Sequence, residues 1–168
     1  MVAAINTNGG ESIKMHITSP AFAEHESIPE KYTCEGRDIS PPLTFSGIPE
    51  AAESLILIVD DPDAPDPDAP KMTWVHWLLF NLPSHIKGLD EDVQIFRDGT
   101  DTGLNDWKRR DYGGPCPPIG RHRYFFKLYA LDTRLTGLNA PDKETLLHAM
   151  QGHVLEQAEL IGTYSKQR

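Results

Sequence analysis

Short apolar runs, separated by prolines and glycines, dominate the pattern of this chain. Residues 54–60 form a continuous apolar run bounded by turn signals, and residues 74–82 form the next one. Both runs are too short for helices that stand alone, and their β-branched content favours buried strands. Residues 14–18 and 43–46 predict two shorter strands. The pattern as a whole predicts a β-rich chain with many turns.

Residues 123–131 alternate large apolar side chains and predict a central strand. We assign Phe126, Leu128 and Ala130 to one face of that strand. Tyr124 and the remaining aromatic residues are assigned to the other face.

One helix is predicted near the C-terminus. Pro141 suits the first turn of a helix, and acidic residues follow it where they favour the helix dipole. Leu146, Leu147 and Met150 form the predicted buried stripe, and Gly152 is predicted to end the helix.

The remaining segments carry weaker signals. Residues 153–164 fit both helical spacing and strand alternation, and we favour a final strand over 160–164. Residues 92–96 are interpreted as an edge pairing. Residues 97–120 contain many prolines and glycines and predict a long loop, a feature that is usually functional in a compact domain.

Length and composition predict one domain. A chain of 168 residues can bury a single core without metal or disulfide support, and 39% hydrophobic residues is too many for a disordered chain. Residues 1–12 contain few apolar groups and are predicted to be a flexible N-terminal extension. Residues 13–168 are predicted to form the single domain.

The formal charge of -9 argues against two classes of partner. It opposes the phosphate backbone of nucleic acid, and the chain has no basic helix for an anionic membrane. The chain has no run of about 20 apolar residues, so stable membrane insertion is not expected. No secretory signal is visible either. A cytoplasmic location follows, in which Cys34 and Cys116 are expected to be reduced thiols, with a mutual disulfide as the minor alternative.

The first stretch with candidate chemistry is a duplicated D-P-D-A-P turn after the strand at 54–60. Asp61 and Asp63 belong to the first copy, and a carboxylate there can orient a histidine or raise its pKa, making it a donor to an anion. The alternative is a pair of turn formers with solvated carboxylates. Asp66 and Asp68, in the second copy, are predicted to lie in an exposed outer loop.

His76 stands in an otherwise apolar strand. Strict alternation places it on the same sheet face as Trp74 and opposite Val75 and Trp77. Such a histidine needs a polar partner, so it is either a hydrogen-bonded core residue or a donor to a ligand.

The second candidate stretch is the glycine- and proline-rich loop 112–120 and the strand after it. Its glycines let a backbone approach a ligand, and His122 and Tyr124 share one face of the following strand. N–H groups, an imidazole and a phenol suit phosphate oxygens, although no nucleotide-binding glycine motif is present. The alternative is a rigid loop whose polar groups are all satisfied.

Two stretches of the chain together resemble the two signature regions of a known family, namely D-P-D-A-P with W-V-H-W, and then G-G-P-C-P-P-x-G-x-H-R-Y. The family is that of the phosphatidylethanolamine-binding proteins, also called Raf kinase inhibitor-like proteins, in its prokaryotic branch. The resemblance runs from about residue 17 to residue 164. It implies a mostly β fold, namely a β-sandwich of two antiparallel sheets with one or two short peripheral helices and an anion-binding cavity at one end.

The resemblance also implies a set of site residues, and we predict no cofactor and no metal. The residues carried over are Asp61 at the strand end, Asp63 supporting the turn, Trp74 as a wall, His76, Gly114 and Pro115 in the loop, and His122 and Tyr124 on the next strand.

The predicted function is non-enzymatic binding of a small anion such as phosphate or phosphorylethanolamine. The resemblance implies that the occupied surface inhibits a protein kinase or a serine protease. A small hydrolase or lyase that uses Asp61 with His76 or His122 as a base is the alternative, although no activated nucleophile is visible. A metal site built from the same three residues is a third possibility. The oligomeric state stays open, with a homodimer among the options.

Overall fold

The structure, a computed structural model, describes residues 14–167 and contains two antiparallel sheets. The predicted extension at residues 1–12 lies outside this described part. One sheet has five strands in the order β6-β4-β3-β7-β8, and the other has three in the order β1-β2-β5. The strands are β1 His16–Thr18, β2 Leu43–Ser46, β3 Ser54–Ala64, β4 Met72–Pro83, β5 Gly88–Leu89, β6 Asp101–Thr102, β7 His122–Leu131 and β8 Val154–Tyr164. The helices are a short 3-10 helix, Glu30–Tyr32, and α1, Lys143–Met150. This confirms the predicted fold class.

Two apolar clusters lie on opposite faces of the five-stranded sheet. Ile17 and Phe45 from the smaller sheet pack with Leu57 and Phe126 in the inner cluster. Helix α1 covers the outer face, where Leu146 packs in a second cluster with residues of β3 and β4. Strand β3 is therefore buried on both faces, which explains why its sequence is a continuous apolar run.

Helix α1 begins after Asp142, whose side chain accepts a hydrogen bond from the Thr145 N–H at 2.9 Å. Leu146 and Met150 are buried, as predicted. Leu147 is not, because 37% of it is exposed on the solvent side of the helix. Gly152 follows the helix with a positive φ of 82°, in agreement with its predicted role at the helix end.

Strands β7 and β8 pair along their whole length, from His122 opposite Tyr164 to Leu131 opposite Val154. The predicted final strand is confirmed, and it begins several residues earlier than expected. The face assigned to Tyr124 was wrong. Tyr124 is buried in the inner cluster with Phe126, because positions two apart on a strand share a face.

The edge pairing predicted at residues 92–96 is absent, since the structure has no strand there. Gly88–Leu89 instead pairs with the edge of the smaller sheet at Leu43 and Thr44. Asp101–Thr102 extends the larger sheet beside β4.

The expectation of two reduced thiols is overturned by the structure. Cys34 and Cys116, 82 residues apart in sequence, form a disulfide. It joins the segment after the 3-10 helix to the second signature loop, where the Cys34 N–H also donates to the Pro115 carbonyl at 3.0 Å. Stable disulfides are typical of oxidising compartments and of proteins from hyperthermophiles, so the predicted cytoplasmic location loses the support of free cysteines.

The membrane question was checked over residues 14–167. No helix in this part of the chain is long and apolar enough to cross a membrane.

We predict that breaking the disulfide destabilises the fold. A link that closes a loop of 82 residues restricts the unfolded chain, and its loss should lower the free energy of unfolding by about 4 kcal/mol. Urea unfolding of the wild type with and without dithiothreitol measures this change. The Cys34→Ser/Cys116→Ser variant is the control, and it should match the reduced wild type and ignore the reductant. Equal stability of the oxidised and reduced wild type would contradict the prediction.

Candidate functional site

A cavity of about 430 Å³ lies at one end of the five-stranded sheet, between the two signature regions. We call it the signature pocket. Five of the eight predicted site residues line it, and three do not. Its walls are formed by Asp61, Ala64, Pro65, Met72, Trp74, His76, Trp107, Cys116, Pro117, Pro118, His122 and Tyr124.

The three predicted residues outside the wall hold the surrounding turns. Asp63 binds the Arg123 guanidinium at 2.9 and 3.0 Å and accepts the Arg123 N–H. This arginine lowers the pKa of Asp63. The Gly114 N–H donates to Asp38 at 2.7 Å. Pro115 offers its carbonyl to the neighbouring loop, so all three residues act on the frame of the pocket.

The glycines of the second signature loop allow close approach of protein, not of a ligand. A Cβ added at Gly113 would lie 2.3 Å from the Trp107 ring. One added at Gly114 would lie 2.3 Å from the Tyr32 carbonyl oxygen. The expectation that these residues expose N–H groups to a ligand is therefore wrong for Gly114, whose N–H is already bound.

A β-bulge determines the direction of His76. Val59 pairs with Trp77 and the next residue of β3 pairs with Val75, so His76 is an extra residue between two ladder positions. The His76 ring lies against Tyr124 at a centroid distance of 5.3 Å. Trp77 also belongs to the inner cluster, whereas Val75 belongs to the outer one. Strict alternation therefore gave the wrong side for Trp77, because a bulge re-aims the side chains around it.

His76 is a neutral imidazole with a defined tautomer. Its Nδ1 lies 2.6 Å from the Gly113 carbonyl oxygen, which only accepts, so Nδ1 carries the proton. Burial lowers the pKa of His76 to about 4. Near pH 7 the other ring nitrogen, Nε2, therefore presents a lone pair that accepts a hydrogen bond.

His122 and Asp61 form a buried pair. His122 Nδ1 lies 2.6 Å from Asp61 Oδ2, and Nε2 faces the carbonyl oxygens of Pro65 at 3.1 Å and Ile119 at 2.9 Å. Nε2 must therefore donate, and one more proton lies between Nδ1 and the carboxylate. The pair has zero net charge whether the nitrogen or the oxygen holds that proton.

The environment of Asp61 supports this shared proton. Burial raises the pKa of Asp61, and the hydrogen bonds from His122 and from the Asp63 N–H oppose that rise. Both ring nitrogens of His122 are engaged by the protein. His122 thus fixes the wall of the pocket and has no free N–H for an anion.

The Tyr124 hydroxyl is a polar group of the wall whose proton has no acceptor among residues 14–167. It is fully buried and makes no hydrogen bond of standard geometry within this part of the chain, although the Cys116 backbone N–H approaches its oxygen. Burial, aided by Asp61, raises the pKa of Tyr124 far above its usual range, so the hydroxyl keeps its proton. Buried polar groups normally have partners. The Tyr124 O–H is therefore a donor available to a molecule in the pocket.

Trp107 is the main wall residue that sequence reasoning missed. Its ring stands edge-on to Trp74 at 5.5 Å and to His76 at 5.1 Å. It lies in the long loop 97–120, and the length of that loop was the signal that could have found it.

The signature pocket shows no arrangement suited to a metal ion. Across residues 14–167, no group of three or more His, Cys, Asp or Glu side chains could hold one. Of the three residues proposed as ligands from sequence, His122 uses both nitrogens and Asp61 is its partner, so only the Nε2 lone pair of His76 is left.

Comparisons with known proteins agree on one family. The family model described as phosphatidylethanolamine-binding protein matches residues 18–165. A UPF0098 protein of Methanothermobacter thermautotrophicus is 48% identical over 155 residues, which cover 90% of this chain and 99% of the relative. A UPF0098 protein of Chlamydia pneumoniae is 49% identical over 152 residues, with the same coverage of both chains.

Two solved structures share the fold. The crystal structure of a Chlamydia trachomatis protein, described as a homologue of the phosphatidylethanolamine-binding proteins, has a TM-score of 0.85 and 46% identity, covering 92% of this chain and 99% of that one. E. coli YbcL, described as a new member of the mammalian family, has a TM-score of 0.82 and 29% identity, with the same coverage.

We predict that His76 weakens the fold in mild acid. The unfolded histidine takes up a proton near pH 6.5, whereas the buried ring resists until about pH 4. The unfolded state binds more protons between these values, so stability falls as the pH drops through this window. The contribution of His76 should amount to roughly 2 kcal/mol between about pH 7.5 and pH 5.

Urea unfolding of the wild type and of His76→Gln at several pH values measures this contribution. The variant should lose less stability on acidification than the wild type does. His148→Gln, which replaces an exposed histidine of α1, is the matched control and should follow the wild type. Parallel pH profiles for wild type and His76→Gln would refute the assignment.

Proposed function

The chain belongs to the phosphatidylethanolamine-binding protein family, and we propose that its signature pocket binds a small oxyanion such as phosphate or the phosphoryl group of phosphorylethanolamine. The observation that carries this proposal is the buried Tyr124 hydroxyl, a donor without a protein partner. A phosphoryl oxygen is an acceptor that satisfies it.

The pocket also selects the protonation state of its ligand. Neutral His76 offers an acceptor at Nε2, while Tyr124 offers a donor. A phosphoryl group that keeps one O–H can donate to His76 and accept from Tyr124 at the same time. The preferred ligand is thus a singly protonated phosphate species, because a fully ionised one would place an oxygen lone pair against the His76 lone pair.

Binding without catalysis fits the groups in the wall. Cys116 is held in the disulfide and offers no thiolate. The Asp61–His122 pair resembles a catalytic acid–base pair. His122 Nε2, however, donates to two backbone carbonyl oxygens and is not available to a substrate. A hydrolase or lyase that used this pair as its base would need that nitrogen free.

A regulatory role is the second part of the proposal. Apolar side chains are exposed around the mouth of the pocket, with Met72 48%, Trp107 38% and Ile119 54% exposed. Such a collar suits contact with another protein. We propose that it contacts a protein kinase or a serine protease and inhibits it, in line with the family resemblance. The cytoplasmic location stays a prediction.

We predict that Tyr124→Phe weakens anion binding without weakening the fold. The change removes only a hydroxyl whose proton has no acceptor in the described part of the protein, so stability should be nearly unchanged. The dissociation constants of phosphate and O-phosphorylethanolamine, measured by isothermal titration, should rise about tenfold, the effect of losing one hydrogen bond worth about 1.4 kcal/mol.

Tyr129→Phe is the matched control, because Tyr129 lies on the same strand and packs in the outer cluster away from the pocket. It should bind like the wild type. No binding by the wild type at about 10 mM ligand, or equal binding by Tyr124→Phe, would sink the proposal. The same samples, assayed for release of phosphate from O-phosphorylethanolamine, should show no turnover.

We also predict that the exposed collar carries any inhibitory contact. The wild type should slow a purified serine protease or a protein kinase in a dose-dependent way, and Trp107→Ala should lose this effect because the largest collar side chain is removed. Leu155→Ala, which trims an exposed apolar residue of β8 far along the chain, is the control. Inhibition that survives Trp107→Ala would assign the contact to another surface.

A further inference from the structure

The disulfide between Cys34 and Cys116 belongs to the signature pocket at one end only. Cys116 lines the pocket together with Pro117 and Pro118, whereas Cys34 is not a wall residue. We call residues 116–118 the proline segment. The disulfide therefore joins this part of the wall to a segment that lies outside the pocket.

Both residues of the disulfide are exposed to solvent. A thiolate must attack a sulfur atom directly to open a disulfide, so exposure determines whether a reductant can act on the folded chain. Exposed disulfides are the ones that exchange readily, whereas well-protected structural ones resist reduction. The location of this disulfide is therefore that of a bond which a thiol can reach without unfolding the protein.

The residues before the proline segment have ties that do not depend on the disulfide. Three hydrogen bonds join residues 112–115 to residues 32–38. Their donors are the Tyr112 hydroxyl, the Gly114 N–H and the Cys34 N–H, which lie 2.8, 2.7 and 3.0 Å from their acceptors. This part of the loop is therefore expected to keep its place when the disulfide is open.

The proline segment itself has few other ties to the protein. Its two prolines have no N–H to donate, and it forms no backbone–backbone hydrogen bond within residues 14–167. The next anchored group along the chain is the Ile119 carbonyl, which accepts from His122 at 2.9 Å. Apart from the packing of the buried Pro117, the disulfide is thus the main link that fixes this part of the wall.

The proline segment also approaches the hydrogen-bond donor of the pocket. The Cys116 N–H points to the Tyr124 oxygen, so a lone pair of that oxygen faces the N–H and the hydroxyl proton is directed elsewhere. The position of Cys116 thus helps to orient the hydroxyl to which we assign anion binding. Opening the disulfide would relax this contact together with the wall.

We propose that the Cys34–Cys116 disulfide is a site of thiol–disulfide exchange, through which a dithiol weakens ligand binding in the signature pocket. This proposal rests on the proposed anion-binding function. One thiolate of the dithiol attacks a sulfur atom of the disulfide and forms a mixed disulfide, and the other protein sulfur leaves as a thiolate. The second thiol of the reagent then attacks the mixed disulfide. The reagent ends as a disulfide after giving up two electrons and two protons, and the protein ends with two thiols.

The oxidised chain is the tighter binder because its wall is already in place. In the reduced chain, binding must also order the proline segment, and this ordering costs affinity. We expect the dissociation constant of inorganic phosphate to rise about fivefold on reduction.

The first test asks whether a dithiol opens the disulfide of the folded chain. Samples of native protein in dithiothreitol are quenched with iodoacetamide at intervals, and mass spectrometry follows the gain of two carbamidomethyl groups. The rate should lie within about tenfold of the rate in urea-unfolded protein, and circular dichroism should show that the reduced chain stays folded. A disulfide that reacts only after unfolding, or a reduced chain that loses its fold, would overturn the proposal, because the bond would then be structural only.

The second test measures phosphate binding by isothermal titration to the oxidised, reduced and reoxidised chain. Reduction should weaken binding and reoxidation should restore it. The Cys34→Ser/Cys116→Ser variant, which cannot form the bond, should bind like the reduced wild type with or without dithiothreitol. Equal affinity of the oxidised and reduced wild type would also overturn the proposal.

A measurement without ligand separates this proposal from the proposed function. Trp74 and Trp107 line the same pocket, so their indole N–H signals in a nitrogen-15 correlation spectrum report on its wall. Both signals should shift on reduction. If the oxidised chain binds no phosphate, the proposed function fails. Shifted indole signals would then still support the exchange site and its effect on the wall, whereas unshifted signals would overturn them.

Discussion

Strand β3 is hydrogen-bonded on both edges and buried on both faces, and this constraint determines where polar chemistry can stand. Polar side chains are excluded from most of its length. They gather at its end, where Asp60, Asp61 and Asp63 follow one another closely. Their carboxylates have separate partners, because alternation and the turn send them in different directions.

The partners of these carboxylates tie three regions to the end of the sheet. Asp60 on the outer face binds Lys127 at 3.2 Å and Lys143 of α1 at 2.7 Å. Asp61 on the inner face holds His122. Asp63 holds the Arg123 side chain beside the turn, so a crowded acidic stretch is almost fully neutralised before any ligand enters.

Neutrality gives the signature pocket its chemical character. The Asp61–His122 pair has zero net charge, and His76 is uncharged near neutral pH. In the function that we propose, an anion in this space is recognised by single hydrogen bonds and not by an excess of positive charge. The pocket would then select the protonation state of the anion, since one wall group donates a hydrogen bond and its neighbour accepts one.

The sequence carried most of the fold and part of the site. Continuous and alternating apolar runs predicted β3, β4 and β7, because such runs indicate a strand that is buried on both faces or on one face. The two signature regions predicted Asp61, His76, His122 and Tyr124 as neighbours. The role of each residue was less visible, because the sequence does not show which nitrogen of His76 carries the proton. The contact between Nδ1 and the Gly113 carbonyl oxygen decides this.

Features that depend on long-range contact were missed for a physical reason. The disulfide joins cysteines 82 residues apart, and spacing alone does not show that their Cα atoms lie 5.4 Å from each other. Trp107 reaches the pocket from a loop whose path no local pattern describes. The bulge at His76 follows from the pairing of β3 with β4, and a strict period of two has no place for it.

That bulge keeps His76, which enters the signature pocket, out of the pairing between β3 and β4. The pairs on either side of His76 are Val59 with Trp77 and Asp60 with Val75. A strand that lacked this one position would keep the pairing partners on either side of it, and the ladder would run without a bulge from Val59 to Asp60. His76, to which we assign the selection of the ligand's protonation state, is thus a residue that the pairing of the sheet does not need.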